Sequence, residues 1–134
     1  MRNVHTIAKI SLKDESIVWL LTKPKFYKNT DVEDKVLKPK GDIKWFFQQH
    51  AIQIVHGKEK DGKLHIMLFD NHTANRRPVK WFDKEKKSNI MFFAVDEKEM
   101  TVMQEQYLPI PLSVTRSNEE YDAETGKVLA MCAN

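Results

Sequence analysis

No window of about twelve residues in this chain keeps a helical apolar period. What recurs is a short apolar run, a charged turn and a second apolar run. Val4, Ile7, Ala8 and Ile10 lead through Leu12-Lys13-Asp14-Glu15-Ser16 to Ile17-Val18-Trp19-Leu20-Leu21. Two runs of about five to seven residues around a polar stretch predict a β-hairpin. The run Ile43-Lys44-Trp45-Phe46-Phe47 comes next, then Ala51-Ile52-Gln53-Ile54-Val55, a turn around Gly62, and Leu64 to Phe69; together they predict a second hairpin. Ile90 to Val95 and Met100 to Met103 flank Asp96-Glu97-Lys98-Glu99 as a third. Glu119-Glu120-Tyr121 and Val128 to Met131 flank Asp122 to Lys127 as a fourth. Between the first two hairpins, Thr22 to Asp42 has no clean period and carries Pro24 and Pro39, so it predicts a long surface loop. Pro109 and Pro111 are expected to break the chain after the third hairpin.

Four hairpins with charged turns predict an all-β protein of antiparallel meanders. At 134 residues, the chain is one domain at most. Repeating hairpins are what the blades of a β-propeller provide, at roughly 40–50 residues per blade. That arithmetic allows two to three blades, so residues 1–134 are expected to form a single partial propeller domain, a fragment of a closed ring.

Composition narrows the partners. Hydrophobic residues make up 41% and charged residues 31%, enough apolar content for a core. Lys and Arg number 22 against 19 acids, and the cations lie among acids, without the one-signed stripe that nucleic acid needs. No nucleic-acid partner is expected. There is no run of about 18 apolar residues for a membrane-spanning helix, and Met1 to His5 shows no signal-peptide core. The single Cys132 cannot form an intramolecular disulfide, and His5, His56, His65 and His72 follow no metal-ligand spacing. No metal and no cofactor are expected.

Three segments, in order, resemble the bacterial arylsulfotransferase family. Arg2-Asn3-Val4-His5-Thr6-Ile7-Ala8-Lys9-Ile10, continuing to Ile17-Val18-Trp19, is similar to that family's "RN…IAKID…TGEIVW" hairpin. Gln49-His50-Ala51 through Leu68-Phe69-Asp70-Asn71 resembles its "QH-A…LFDN" pattern. Val95 to Val102 is similar to its "IDEKxMTV" turn. The resemblance covers about residues 2–106. It implies part of a six-bladed propeller enzyme that moves a sulfuryl group from a phenolic sulfate ester to a phenol acceptor, by histidine chemistry and without a nucleotide donor. His50 matches the motif histidine. Arg76 matches the arginine beyond the Asp-Asn loop, with Arg77, one position away, as the alternative. Where the family has Gly after Asp-Asn, this chain has His72. No position matches the histidine that carries the sulfuryl group, so the chain is expected to be a truncated piece of such an enzyme.

The residue types suit that chemistry. An imidazole titrates near neutrality and can pass a proton to or from a phenol. A guanidinium offers a fixed fork of N–H donors to sulfuryl oxygens. Without the resemblance, His50 reads as a half-buried histidine bonded to backbone at a strand start, and Arg76 as a solvated loop cation. Asn71 reads as an Asx turn. A reading of another class also stands: a non-catalytic β-rich binding or assembly module, self-associating through open sheet edges.

Overall fold

Two strands bear apolar side chains on both faces, and the fold is built around them. They are β5 (Leu64–Asp70) and β6 (Lys87–Asp96), paired antiparallel from Leu64 opposite Val95 to Asp70 opposite Asn89. Strands buried on both sides read as continuous apolar runs rather than alternating ones, as Ile66 to Phe69 and Ile90 to Val95 do. The computed structural model describes residues 5–58, 61–71, 87–113 and 118–132. Arg76, Arg77 and His72 lie outside the described residues.

The first hairpin is β1 (Ile7–Ile10) with β2 (Ile17–Leu21). β3 is the two-residue strand Lys38–Pro39. β4 (Gln49–Ile54), β5, β6 and β7 (Thr101–Pro111) form an antiparallel meander, and β3 adds in parallel on the far edge of β7. β8 (Asn118–Asp122) and β9 (Lys127–Met131) make a separate two-stranded sheet. The protein is all-β, with antiparallel sheets that do not close, an arrangement that fits a β-propeller fragment. Among the described residues, a four-stranded meander is flanked by a two-stranded sheet on each face.

The alternation of side chains sends one set from β5 and β6 to each face. Ile66, Leu68, Met91, Phe93 and Val95 pack with Ile7, Trp19, Leu21, Leu37 and Phe46 in a core under β1–β2. Met67, Phe69, Ile90 and Phe92 pack with Val55 in a second core, against which Tyr121, Val128 and Ala130 of the β8–β9 hairpin lie. Each fully buried large side chain contributes roughly 1.5–3 kcal/mol by leaving water.

Three local readings differ from the sequence expectation. The apolar run Ile43 to Phe47 has strand length but takes no regular structure. Side chains take up the backbone at two of its residues instead: the Gln104 amide accepts from Lys44 N at 3.0 Å and donates to Lys44 O at 3.3 Å, and Asp70 accepts from Phe47 N at 2.7 Å. Phe46 then serves as a plug in the first core, edge-on to Phe93 with ring centroids 6.1 Å apart. The loop from Thr22 holds two short 3-10 turns, at Pro24–Phe26 and Glu33–Lys35, before β3. There Leu37 N donates to Leu20 O at 2.9 Å and Lys38 N to Met100 O at 2.9 Å, tying β2 to the main sheet. Pro109 and Pro111 do not break the chain. They sit in β7 opposite Asn89 and Lys87, far from the stretch that β3 pairs, and a strand with one open edge tolerates a missing N–H.

Candidate functional site

At one end of the main sheet, a row of polar residues crosses three strands. Gln49 at the start of β4 lies opposite Asp70 at the end of β5, which lies opposite Asn89 near the start of β6. All three are buried, as are Asn71, Ser88 and Ser113 just beyond them. Polar groups withdrawn from water are costly unless hydrogen-bonded; most of this row is bonded, while Asn89 Oδ1 has no partner among the described residues. Asp70 Oδ1 accepts from Phe47 N, and its Oδ2 accepts from Asn89 Nδ2 at 3.4 Å. Gln49 Nε2 donates to Thr6 O at 3.0 Å. The Ser88 hydroxyl lies 3.3 Å from Asn71 O and 3.2 Å from Ser113 O, and it accepts from Ser113 N at 2.8 Å.

His50 follows directly on this row, its Cα opposite that of Phe69. It is half-buried, with its Nε2 shielded from solvent. The backbone around it is unusual. Gln48 has φ 60° and Ala51 φ 46°, two non-glycine residues in the left-handed region, and the β4–β5 register shifts between His50 and Gln53. A left-handed residue with a Cβ costs roughly 1–2 kcal/mol, and such positions persist only where surroundings hold them. Here the holding groups are visible. His5 Nδ1 accepts from Gln48 N at 3.1 Å, Asp70 accepts from Phe47 N, and the Gln49 side chain is tied to Thr6. The bulge re-aims the strand at its start, as bulges do beside sites.

Two lysines border this end through aromatic rings. Lys23 Nζ lies 4.7 Å from the Phe47 ring centroid, and Lys44 Nζ lies 4.3 Å from that of Tyr107. The Tyr107 hydroxyl pKa is raised, first by burial and then by the charge of Asp70.

The structure places His50 where the sequence expectation does, at the start of a strand, opposite Phe69 and one position along from the Gln49–Asp70 pair. The carboxylate of Asp70, the imidazole of His5 and the Ser88–Ser113 pair escaped sequence reasoning. A signal was present. Asp70-Asn71 and Ser88-Asn89 are polar dipeptides that bound apolar runs on two successive strands, and a meander must bring such ends together.

A second polar group lies toward the opposite end of β5. His65, 4% exposed, has Nδ1 at 3.0 Å from Glu105 Oε2 and Nε2 at 3.0 Å from Asp61 Oδ1. Phe92 pairs with Gln106 and Phe93 with Gln104, so Glu105 is the extra residue of a β-bulge, and its side chain reaches His65. Burial opposes the charge on His65, and the bonds to Asp61 and Glu105 outweigh it, raising the pKa above the ordinary 6.5. The two carboxylates sit on opposite ring nitrogens and cannot converge on one ion. Among the described residues, no group of three His, Cys, Asp or Glu side chains is arranged to hold a metal.

A family model described as arylsulfotransferase (ASST) matches residues 1–134, the whole chain. The match extends through the last hairpin, beyond the segments that carry the sequence resemblance. No curated protein matches the chain.

Proposed function

The chain belongs to the arylsulfotransferase family, and from that premise we propose that it serves the transfer of a sulfuryl group from a phenolic sulfate ester to a phenol. The observation that carries this reading beyond family membership is the setting of His50: a shielded imidazole nitrogen beside a left-handed residue and a bulge, next to a buried polar row. In overall balance, the bond from sulfur to the donor's phenolic oxygen breaks and one to the acceptor's oxygen forms. The acceptor gives up its O–H proton and the departing phenolate gains one. His50 is assigned the relay of that proton, and Arg76 the binding of the equatorial sulfuryl oxygens. Residues 1–134 act in this reading as one partial propeller domain.

The test is transfer of sulfate from a chromogenic aryl sulfate to phenol, followed by release of the coloured phenol. Turnover that falls about 100-fold or more in His50→Ala supports the assignment, in line with the loss of a general acid–base group. Absence of turnover in the unaltered protein removes the catalytic reading. Unchanged turnover in His50→Ala removes the residue from it.

A second reading, a β-rich assembly module, is favoured by β9. Its outward residues Leu129 and Met131 are 75% and 63% exposed, and among the described residues its strand pairs with β8 alone. An apolar face beside an open edge suits addition of another chain. Measurement of mass in solution decides it: oligomers support self-association, and a monomer at high concentration rejects it.

A further inference from the structure

Glu119, on β8, is 1% exposed, and among the described residues neither of its carboxylate oxygens has a hydrogen-bond partner. It stands opposite Ala130 and shares a strand face with Tyr121, so it belongs to the side of the β8–β9 hairpin that lies on the second core. That hairpin is a separate sheet. Packing onto Val55, Met67, Phe69, Ile90 and Phe92 holds it there, together with a hydrogen bond from the Gln53 side-chain amide to the Glu119 carbonyl.

Among the described residues, the elements against which the hairpin packs offer little to neutralise a carboxylate. On β5, His65 is engaged by Asp61 and Glu105, and Asp70 is bonded to Phe47 and Asn89. Lys58 lies 5.7 Å from the Phe92 ring centroid, with Glu105 at 3.7 Å as its ion-pair partner. On β6, Lys87 is exposed and Asp96 is an acid; on the hairpin, Lys127, Glu120 and Asp122 are exposed. Among the described residues, the other titratable groups on these elements are His50 on β4, His56 just beyond it and Tyr121 on the hairpin itself.

We propose that Glu119 is a proton-controlled latch, whose neutral form lets the β8–β9 hairpin lie on the main sheet and whose ionised form weakens that docking. An ion withdrawn from water without a counter-charge is strongly disfavoured, whereas a neutral carboxyl costs far less. Burial pushes the Glu119 pKa up from 4.5 to about 8. With the hairpin lifted into water, the group returns to the ordinary value. The docked form therefore holds the extra proton between those two values. The ratio of docked to lifted hairpin falls about tenfold per pH unit across that window, and changes little below or above it. An isolated two-stranded hairpin is marginal in water, so lifting exposes its backbone amides.

Hydrogen–deuterium exchange of the full chain reads this directly. After correction for the intrinsic pH dependence of exchange, protection of β8 and β9 amides should fall about tenfold per unit from pH 5 to 8. Glu119→Gln should keep its protection across that range. Protection that is flat or rises with pH in the unaltered protein would overturn the proposal, since a rise is the mark of a carboxylate paired with a cation. An undiminished pH slope in Glu119→Gln would overturn it equally. Should that variant not fold, carbon NMR of the Glu119 carboxyl in the unaltered protein decides: a midpoint near 8 supports the latch, and one near 4.5 removes it. The proposal stands apart from sulfuryl transfer, and none of these measurements depends on activity.

Discussion

The carboxylate of Asp70, at the end of β5, accepts the backbone N–H of Phe47 at 2.7 Å, three residues before His50. Through that bond a strand end governs how the irregular segment Ile43 to Gln48 enters β4. Asp70→Ala leaves the Phe47 N–H and the Asn89 amide without this acceptor in a buried setting. A buried group deprived of its partner costs about 1–3 kcal/mol, so the urea midpoint should drop accordingly. The His50 ring resonances should move as well, because the segment that orients it is released.

His65 should titrate above the ordinary 6.5, since Asp61 and Glu105 outweigh the effect of burial. The folded value is the higher one. The stabilisation is therefore complete below 6.5 and is lost as pH rises through the folded value. Proton NMR of the imidazole should show the raised midpoint, and Glu105→Gln should bring it down. A midpoint unchanged by Glu105→Gln would show that the bulge residue does not hold the charge.

Glu97 Oε1 accepts from both Lys9 Nζ, at 2.5 Å, and Trp19 Nε1, at 2.6 Å, joining the β6–β7 turn to the first hairpin. Burial opposes its ionisation, but the bonds from Lys9 and Trp19 prevail and its pKa is lowered from 4.5. Its contribution is present above 4.5 and is lost as pH falls through the folded value. Glu97→Ala should cost about 1–3 kcal/mol by orphaning the buried indole N–H, and the Trp19 fluorescence should shift on the same change.

Phe93 is fully buried in the first core, edge-on to Phe46. Phe93→Ala should cost about 3–5 kcal/mol, as large-to-small changes in a packed core do. Calorimetry or denaturant melts would measure it, and a loss under about 1 kcal/mol would show that this layer is loosely packed.

The four hairpins were legible before any coordinates, because strand period, run length and turn residues are local properties of the chain. So was the position of His50 at a strand start. Tertiary structure decided the rest. Ile43 to Phe47 has the composition of a strand, yet the Gln104 side chain and Asp70, from 60 and 23 residues along the chain, take up the backbone at two of its residues. The left-handed conformations at Gln48 and Ala51 do not show in their side chains, since both residue types favour other regions and yield only to external ties. The buried row of Gln49, Asp70 and Asn89 exists because pairing register lines up three strand ends. Glu119 reads in sequence as one more solvated acid beside Glu120; which of the two is buried depends on which face of the hairpin meets the sheet. Local periodicity is written in neighbouring residues, whereas burial and pairing belong to partners that the chain brings together only on folding.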